Sequence, residues 1–97
     1  MDINKTTENK KLSIELVGRL DTTTAPELEK SFTESCDGIA DVQIDFTKLE
    51  YISSAGLRVL LAIQKKVGEG HLTITNANDS IKDVFDMTGF SDIIKIV

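Results

Sequence analysis

Two adjacent hydroxyls, Ser53 and Ser54, are followed one helical turn later by a guanidinium, Arg58. A hydroxyl can accept a phosphoryl group, and a cation at i+4 on a helix can face the resulting anion. The surrounding pattern supplies the helix. Val42, Ile44 and Phe46 alternate with Gln43, Asp45 and Thr47, which is strand spacing, whereas Leu57, Leu60, Ile63 and Val67 recur at three and four residues, which is helix spacing. Ser53 and Ser54 therefore fall at or just before a helix N-terminus, where unpaired backbone N–H groups and the positive end of the macrodipole favour negative charge. Two readings fit. Both serines serve only as caps, or one caps, contributing ~1 kcal/mol, while its neighbour faces solvent and can receive a phosphate.

Other chemistries are poorly served. A serine nucleophile needs a base and an oriented acid, and the only histidine, His71, opens a different strand as a solvated ring. The nucleophile-elbow pattern Gly-x-Ser-x-Gly is absent, since the chain reads Tyr51-Ile52-Ser53-Ser54-Ala55-Gly56. Neither a phosphate-cradling glycine loop nor metal-ligand spacing occurs, so no enzyme activity, cofactor or metal is expected. The single cysteine, Cys36, cannot form an internal disulfide and reads as a small core residue on the apolar side of a helix.

The elements that position the serines follow from period and punctuation. Ile3 to Thr7 and Leu12 to Val17 read as strands joined by the polar Glu8-Asn9-Lys10-Lys11, a hairpin. Gly18-Arg19-Leu20-Asp21 makes a turn. Thr24 then caps a helix with Glu27 reaching back and Pro26 in the first turn; Leu28, Phe32 and Cys36 form its apolar stripe, and Asp37-Gly38 ends it. The third strand, Val42 to Phe46, leads to the serines and to a helix from about Ser54 to Val67. At 100° per residue Ser54, Arg58 and Lys65 share its outer face, with Leu61 at the edge of that face. Gly68-Glu69-Gly70 breaks this helix, His71 to Thr75 form a fourth strand, and Asn78-Asp79-Ser80 cap a third helix over Ile81, Val84 and Phe85 that ends at Gly89. Ile93, Ile94 and Ile96 close the chain as a short strand.

Ile52-Ser53-Ser54-Ala55-Gly56-Leu57 resembles the signature loop of the STAS domain family, the sulfate-transporter and anti-sigma-factor-antagonist domains, and within it the small bacterial anti-sigma factor antagonists. Their loop reads Asp-Ser-Ser/Thr-Gly-Leu, and the serine after the aspartate is phosphorylated by a partner kinase. Aligned on Gly56-Leu57, Ser53 takes the place of the aspartate, Ser54 that of the phosphorylated serine, and Ala55 that of the next hydroxyl residue. Gly18-Arg19-Leu20-Asp21 and the tract Phe85 to Gly89 match the family as well, so the resemblance spans nearly the whole chain. It implies an α/β fold with a mixed sheet of about five strands and three or more helices mostly on one face. It also implies a docking face that includes Asp21, Ser53, Ser54, Gly56, Arg58 and Leu61.

The chain has 97 residues, 40% hydrophobic and 28% charged, which suits one globular domain over residues 1–97. Its net charge of −5 argues against a nucleic-acid backbone as partner. The longest apolar run, Val59 to Ile63, is far below the ~20 residues of a bilayer span. No apolar run follows Met1-Asp2-Ile3-Asn4-Lys5, so a cytoplasmic location without membrane insertion is expected. The resemblance implies an anti-sigma factor, itself a serine kinase, as partner, and a serine phosphatase acting on phosphorylated Ser54; the free protein is expected to be monomeric. The alternative is a STAS subunit that docks a partner without phosphate in a lipid-transport or stress-signalling assembly.

Overall fold

The computed structural model describes residues 1–97. Its elements in chain order are β1 (Asp2–Glu8), β2 (Lys11–Leu20), α1 (Ala25–Ser35), β3 (Asp41–Ile52), α2 (Ser54–Val67), β4 (Leu72–Thr75), α3 (Asp79–Thr88), a 3-10 turn (Phe90–Asp92) and β5 (Lys95–Ile96). The five strands lie in the order β1-β2-β3-β4-β5. The β1–β2 pair is antiparallel and every other pair is parallel. Asn9 and Lys10 turn the hairpin with φ of 50° and 67°, the left-handed pair that a two-residue connection between twisted strands requires.

Each parallel pair is joined through a helix, and the helices share one face of the sheet. Leu12, Ile14, Leu16 and Leu20 of β2, Val42, Ile44 and Phe46 of β3, and Leu72 and Ile74 of β4 turn toward them. Ala25, Leu28 and Phe32 of α1, Leu57, Val59, Leu60 and Ile63 of α2, and Ile81 and Phe85 of α3 complete a single core. A fully buried leucine contributes roughly 1.5–3 kcal/mol, so this cluster dominates the stability. The other face carries Ser13, Glu15, Gln43, Asp45, Thr73 and Thr75 and stays partly wet.

Two strands run past the bounds expected from period. β2 continues to Leu20 and β3 to Ile52 because β3 takes up two extra residues: Glu15 pairs Asp45 but Val17 pairs Lys48, and Gly18 pairs Leu49 but Arg19 pairs Tyr51. The first bulge shifts the alternation, so Leu49 enters the core although it is off the period of Val42, Ile44 and Phe46, and the second shifts it back, so Ile52 faces the core again in phase with them. Asp45 pins the first bulge, accepting from Thr47 N at 2.9 Å, Thr47 Oγ1 at 2.6 Å and Asn76 Nδ2 at 3.1 Å. The Thr47 hydroxyl is the main cause holding the Asp45 carboxyl below the usual range, with the Thr47 N–H, Asn76 and Lys48 adding to it against partial desolvation.

The remaining differences are local. Thr24 does not cap α1 with its side chain. Its hydroxyl is taken by the turn before the helix, donating to the Arg19 carbonyl at 2.7 Å and accepting from Asp21 N at 2.8 Å. Cys36 is only half-buried, at the C-cap of α1. His71 precedes β4 with Nδ1 2.8 Å from Asp41 Oδ1. The closing strand is shorter than expected, since Phe90–Asp92 form a 3-10 turn and only Lys95 and Ile96 pair with β4. Asn78 does cap α3, its Oδ1 accepting from Ile81 N at 2.8 Å.

Candidate functional site

The carboxyl ends of β2 and β3 lie side by side, and each ends in a short connection to a helix. Ser53 N donates to the Leu20 carbonyl at 2.9 Å, so the turn after β2 and the junction after β3 are bonded directly to each other. This bond brings Asp21 beside the two serines.

Ser53 is the N-cap of α2, extended at φ −102° and ψ 175°, with its Oγ accepting from Gly56 N at 3.4 Å and its carbonyl accepting from Leu57 N at 3.0 Å. Ser54 is the first residue of α2 and is exposed. The division of labour between the serines is therefore geometric: one hydroxyl is turned to the helix end and the next points outward. A phosphate on Ser54 would sit at the positive end of a 14-residue helix, the end that tolerates anions.

Gly56, expected within the docking face, is instead buried. A Cβ there would come 2.8 Å from Leu20 Cγ and 2.9 Å from Ile52 Cγ1, so this glycine lets the first turn of α2 lie directly on the ends of β2 and β3. It sets the height of the serines above the sheet and lines no surface.

Asp21 folds back on its own turn. Its Oδ1 accepts from Thr23 N at 3.0 Å and Thr24 N at 3.1 Å, while its carbonyl accepts from Ala25 N at 2.8 Å. The Thr24 N–H leads in holding the carboxyl below the usual carboxylate range, and the Thr23 N–H, the Thr24 hydroxyl and the nearby Arg19 charge add to it against partial desolvation. An ionised Asp21 thus fixes the loop that faces Ser53.

Arg58 is exposed and lines a shallow groove between the starts of α1 and α2 with Thr22, Pro26 and Glu29 over a floor of Ala25, Ala55 and Val59. Leu61 is half-buried, about 10 Å along the helix axis from Ser54 by the 1.5 Å rise. It opens on a different depression, beside Gln64, Lys65 and Ile93. The structure thus groups Asp21, Ser53, Ser54 and Arg58 at one end of the domain and puts Leu61 two turns further along the same outer face of α2.

Residues outside the expected set also shape this end. Arg19 and Tyr51 are cross-strand partners, and the Arg19 guanidinium carbon lies 4.4 Å from the centre of the Tyr51 ring. Strand alternation would have missed them, because their pairing depends on the second bulge; the one available signal was their place beside Leu20-Asp21 and Ile52-Ser53. Gln64 is buried and donates through Nε2 to the Ile93 carbonyl, tying α2 to the chain end.

The sequence profile of the STAS domain matches residues 2–97, and the chain belongs to the STAS domain family. The anti-sigma-B factor antagonist of Staphylococcus aureus (strain NCTC 8325 / PS 47) is 29% identical over 99 residues, which span 99% of this chain and 92% of that protein. The candidate anti-sigma factor antagonist BtrV of Bordetella bronchiseptica is 33% identical over 84 residues, 84% of this chain and 72% of that one. The phosphorylated form of SpoIIAA, the Bacillus cell fate determinant, superposes with a TM-score of 0.75 at 14% identity over 99% of this chain and 91% of its own, a likeness of fold. No helix is long and apolar enough to cross a membrane.

Proposed function

We propose that this STAS domain, one unit over residues 1–97, is an anti-sigma factor antagonist: a binding module that sequesters an anti-sigma factor and is released from it by phosphorylation of Ser54. The observation that carries the reading is the pairing of a capping Ser53 with an exposed Ser54 at the first residue of α2. The relatives' shared description as anti-sigma factor antagonists supports the partner class.

The unmodified end of α2, with Asp21 and Arg58 beside it, is the docking face; the partner is a serine kinase that transfers a phosphoryl group to Ser54, and a serine phosphatase removes it. The phosphate adds about −1.5 to −2 charge at neutral pH. The helix end accommodates that charge, and Arg58 stands at i+4, so the modified domain stays folded. A partner that covers Ser54 must now desolvate a near-dianion, and a penalty of about 3 kcal/mol already corresponds to roughly a hundredfold in affinity. The switch acts on the interface and not on the fold. Both forms work in the cytoplasm as a monomer when free.

Titration calorimetry of the unmodified and the Ser54-phosphorylated protein against the same serine-kinase anti-sigma factor is the direct test. Tight binding of the first and at least about a hundredfold weaker binding of the second is expected. Equal affinities would remove the switch and leave a docking subunit that works without phosphate.

A further inference from the structure

The face of the sheet opposite the helices ends, next to the serines, in an arrangement that the proposed switch does not use. Leu20 and Ile52 point into the core, so their neighbours Arg19 and Tyr51 point the other way. The Arg19 guanidinium carbon lies over the Tyr51 ring, 4.4 Å from its centre, yet the side chain is 58% exposed. Tyr51 itself is 42% exposed, one of the few large apolar surfaces the chain leaves open. The carboxylate nearest the guanidinium is Asp21, whose Oδ2 is 3.9 Å from Nε, beyond hydrogen-bond reach, while Oδ1 is committed to the backbone of Thr23 and Thr24. The ring thus supports the guanidinium, whose one carboxylate contact in this chain is the long ion pair with Asp21, and its N–H groups hold no hydrogen bond to a carboxylate.

We propose that Arg19, held in place by Tyr51, is a partner-selecting residue of the docking surface and receives a carboxylate of the anti-sigma factor in a two-point hydrogen-bonded pair. The inference rests on the anti-sigma factor reading and extends it. The Ser53 N to Leu20 O bond of 2.9 Å makes the surface continuous, since Arg19 and Asp21 flank Leu20 on one side and Ser54 follows Ser53 on the other. A guanidinium already held over an aromatic ring has little freedom left to lose on binding, and its planar fork matches a carboxylate better than a point charge does. Tyrosine and arginine are also the residue types that concentrate binding energy at protein interfaces. A protein carboxylate fits better than a phosphate dianion, because the ionised Asp21 stands alongside and the Tyr51 ring offers apolar area that only a protein surface would cover.

The experiment uses full-length variants Arg19→Ala, Arg19→Glu and Tyr51→Ala with the anti-sigma factor that binds the unmodified wild type. Circular dichroism and melting first establish that each is folded. Arg19→Ala should bind about tenfold more weakly, Arg19→Glu weaker still, and Tyr51→Ala several-fold more weakly through loss of the platform. Raising salt from about 0.05 to 0.5 M should weaken the wild type more than Arg19→Ala. Reversing single acidic residues of the partner to lysine should find one that recovers the affinity of Arg19→Glu. Affinities of both Arg19 variants within twofold of the wild type overturn the proposal, as does a weakened Arg19→Glu that no acidic-to-lysine change rescues. Wild type phosphorylated at Ser54 is titrated in parallel, so that loss of the switch and loss of the Arg19 contact are read separately.

Discussion

Gly56 and Leu20 are packed so closely that a single methyl group on the glycine would lie 2.8 Å from the leucine Cγ. In an exposed helix, alanine for glycine is favourable by about 1 kcal/mol. Here the added carbon meets Leu20 and Ile52, both buried, and overpacking of that kind costs about 1–3 kcal/mol. Gly56→Ala should therefore destabilise the domain by roughly 1–2 kcal/mol, read as a lower denaturation midpoint with an unchanged slope. It should also weaken partner binding, because the first turn of α2 is lifted from the sheet. A raised midpoint would mean that Leu20 moves aside freely.

At Ser53 the cap bond is long, 3.4 Å to Gly56 N, so Ser53→Ala should lose only about 0.5–1 kcal/mol. Ser53→Asp restores the charge that the resemblance leads one to expect at this position. A carboxylate at a helix N-terminus contributes about 0.3–1 kcal/mol, and thermal unfolding should place this variant above the wild type at low salt. Equal melting of the Ala and Asp variants would mean that Ser53 is not an effective cap.

The pH dependence has a definite sign. Hydrogen bonds in the folded state hold the carboxyls of Asp21 and Asp45 below their unfolded values. Their stabilisation is present in full above the unfolded pKa of about 3.9 and is lost as the pH falls through the folded values. Asp21→Asn should be less stable than wild type at pH 7, and the gap should narrow below about pH 4. A gap that stays constant down to pH 2 would show that the charge on Asp21 contributes nothing.

Ser54→Ala removes an exposed hydroxyl and should change stability by less than about 0.5 kcal/mol while abolishing phosphorylation, giving an antagonist that binds constitutively. Ser54→Asp should weaken binding only in part, since one carboxylate carries less charge and fewer acceptors than phosphate. Added salt should recover some of that loss. Mass spectrometry after incubation with kinase and ATP, followed by calorimetry, checks all three statements; phosphate incorporated elsewhere in Ser54→Ala would move the switch to another hydroxyl.

Leu61→Asp places a charge on a half-buried position two turns from Ser54. Partner affinity should fall about tenfold with only a small drop in melting temperature. A collapse of the melting temperature would mark Leu61 as a core residue instead.

Much of this was legible because its causes are local. The change of period between Phe46 and Leu57 located the junction, and small capping residues located the starts of α2 and α3. What was hidden depends on partners distant in sequence. The bulges of β3 exist only in its pairing with β2, so a strand expected to stop at Phe46 runs to Ile52 and carries Tyr51 across from Arg19. Thr24 looked like a cap because Thr-x-x-Glu is the pattern of one, yet the Arg19 carbonyl and the Asp21 N–H claim its hydroxyl. Gly56 has no signature as a contact, since its meaning lies in what Leu20 and Ile52 leave no room for.

The sequential strand order has a consequence for what this end of the domain can recognise. In open sheets with helices on both faces, strand order reverses somewhere, the two connections at that point diverge, and the gap between them becomes a cleft for small molecules. Here the order never reverses and the helices share one face, so the connections after β2 and β3 run alongside each other and close on themselves through Ser53 and Leu20. What they leave is the shallow, open groove of Arg58, Thr22 and Glu29 over Ala25, Ala55 and Val59, with the exposed Ser54 at the adjoining helix end, a surface better suited to a macromolecule laid across it than to a small molecule enclosed in it.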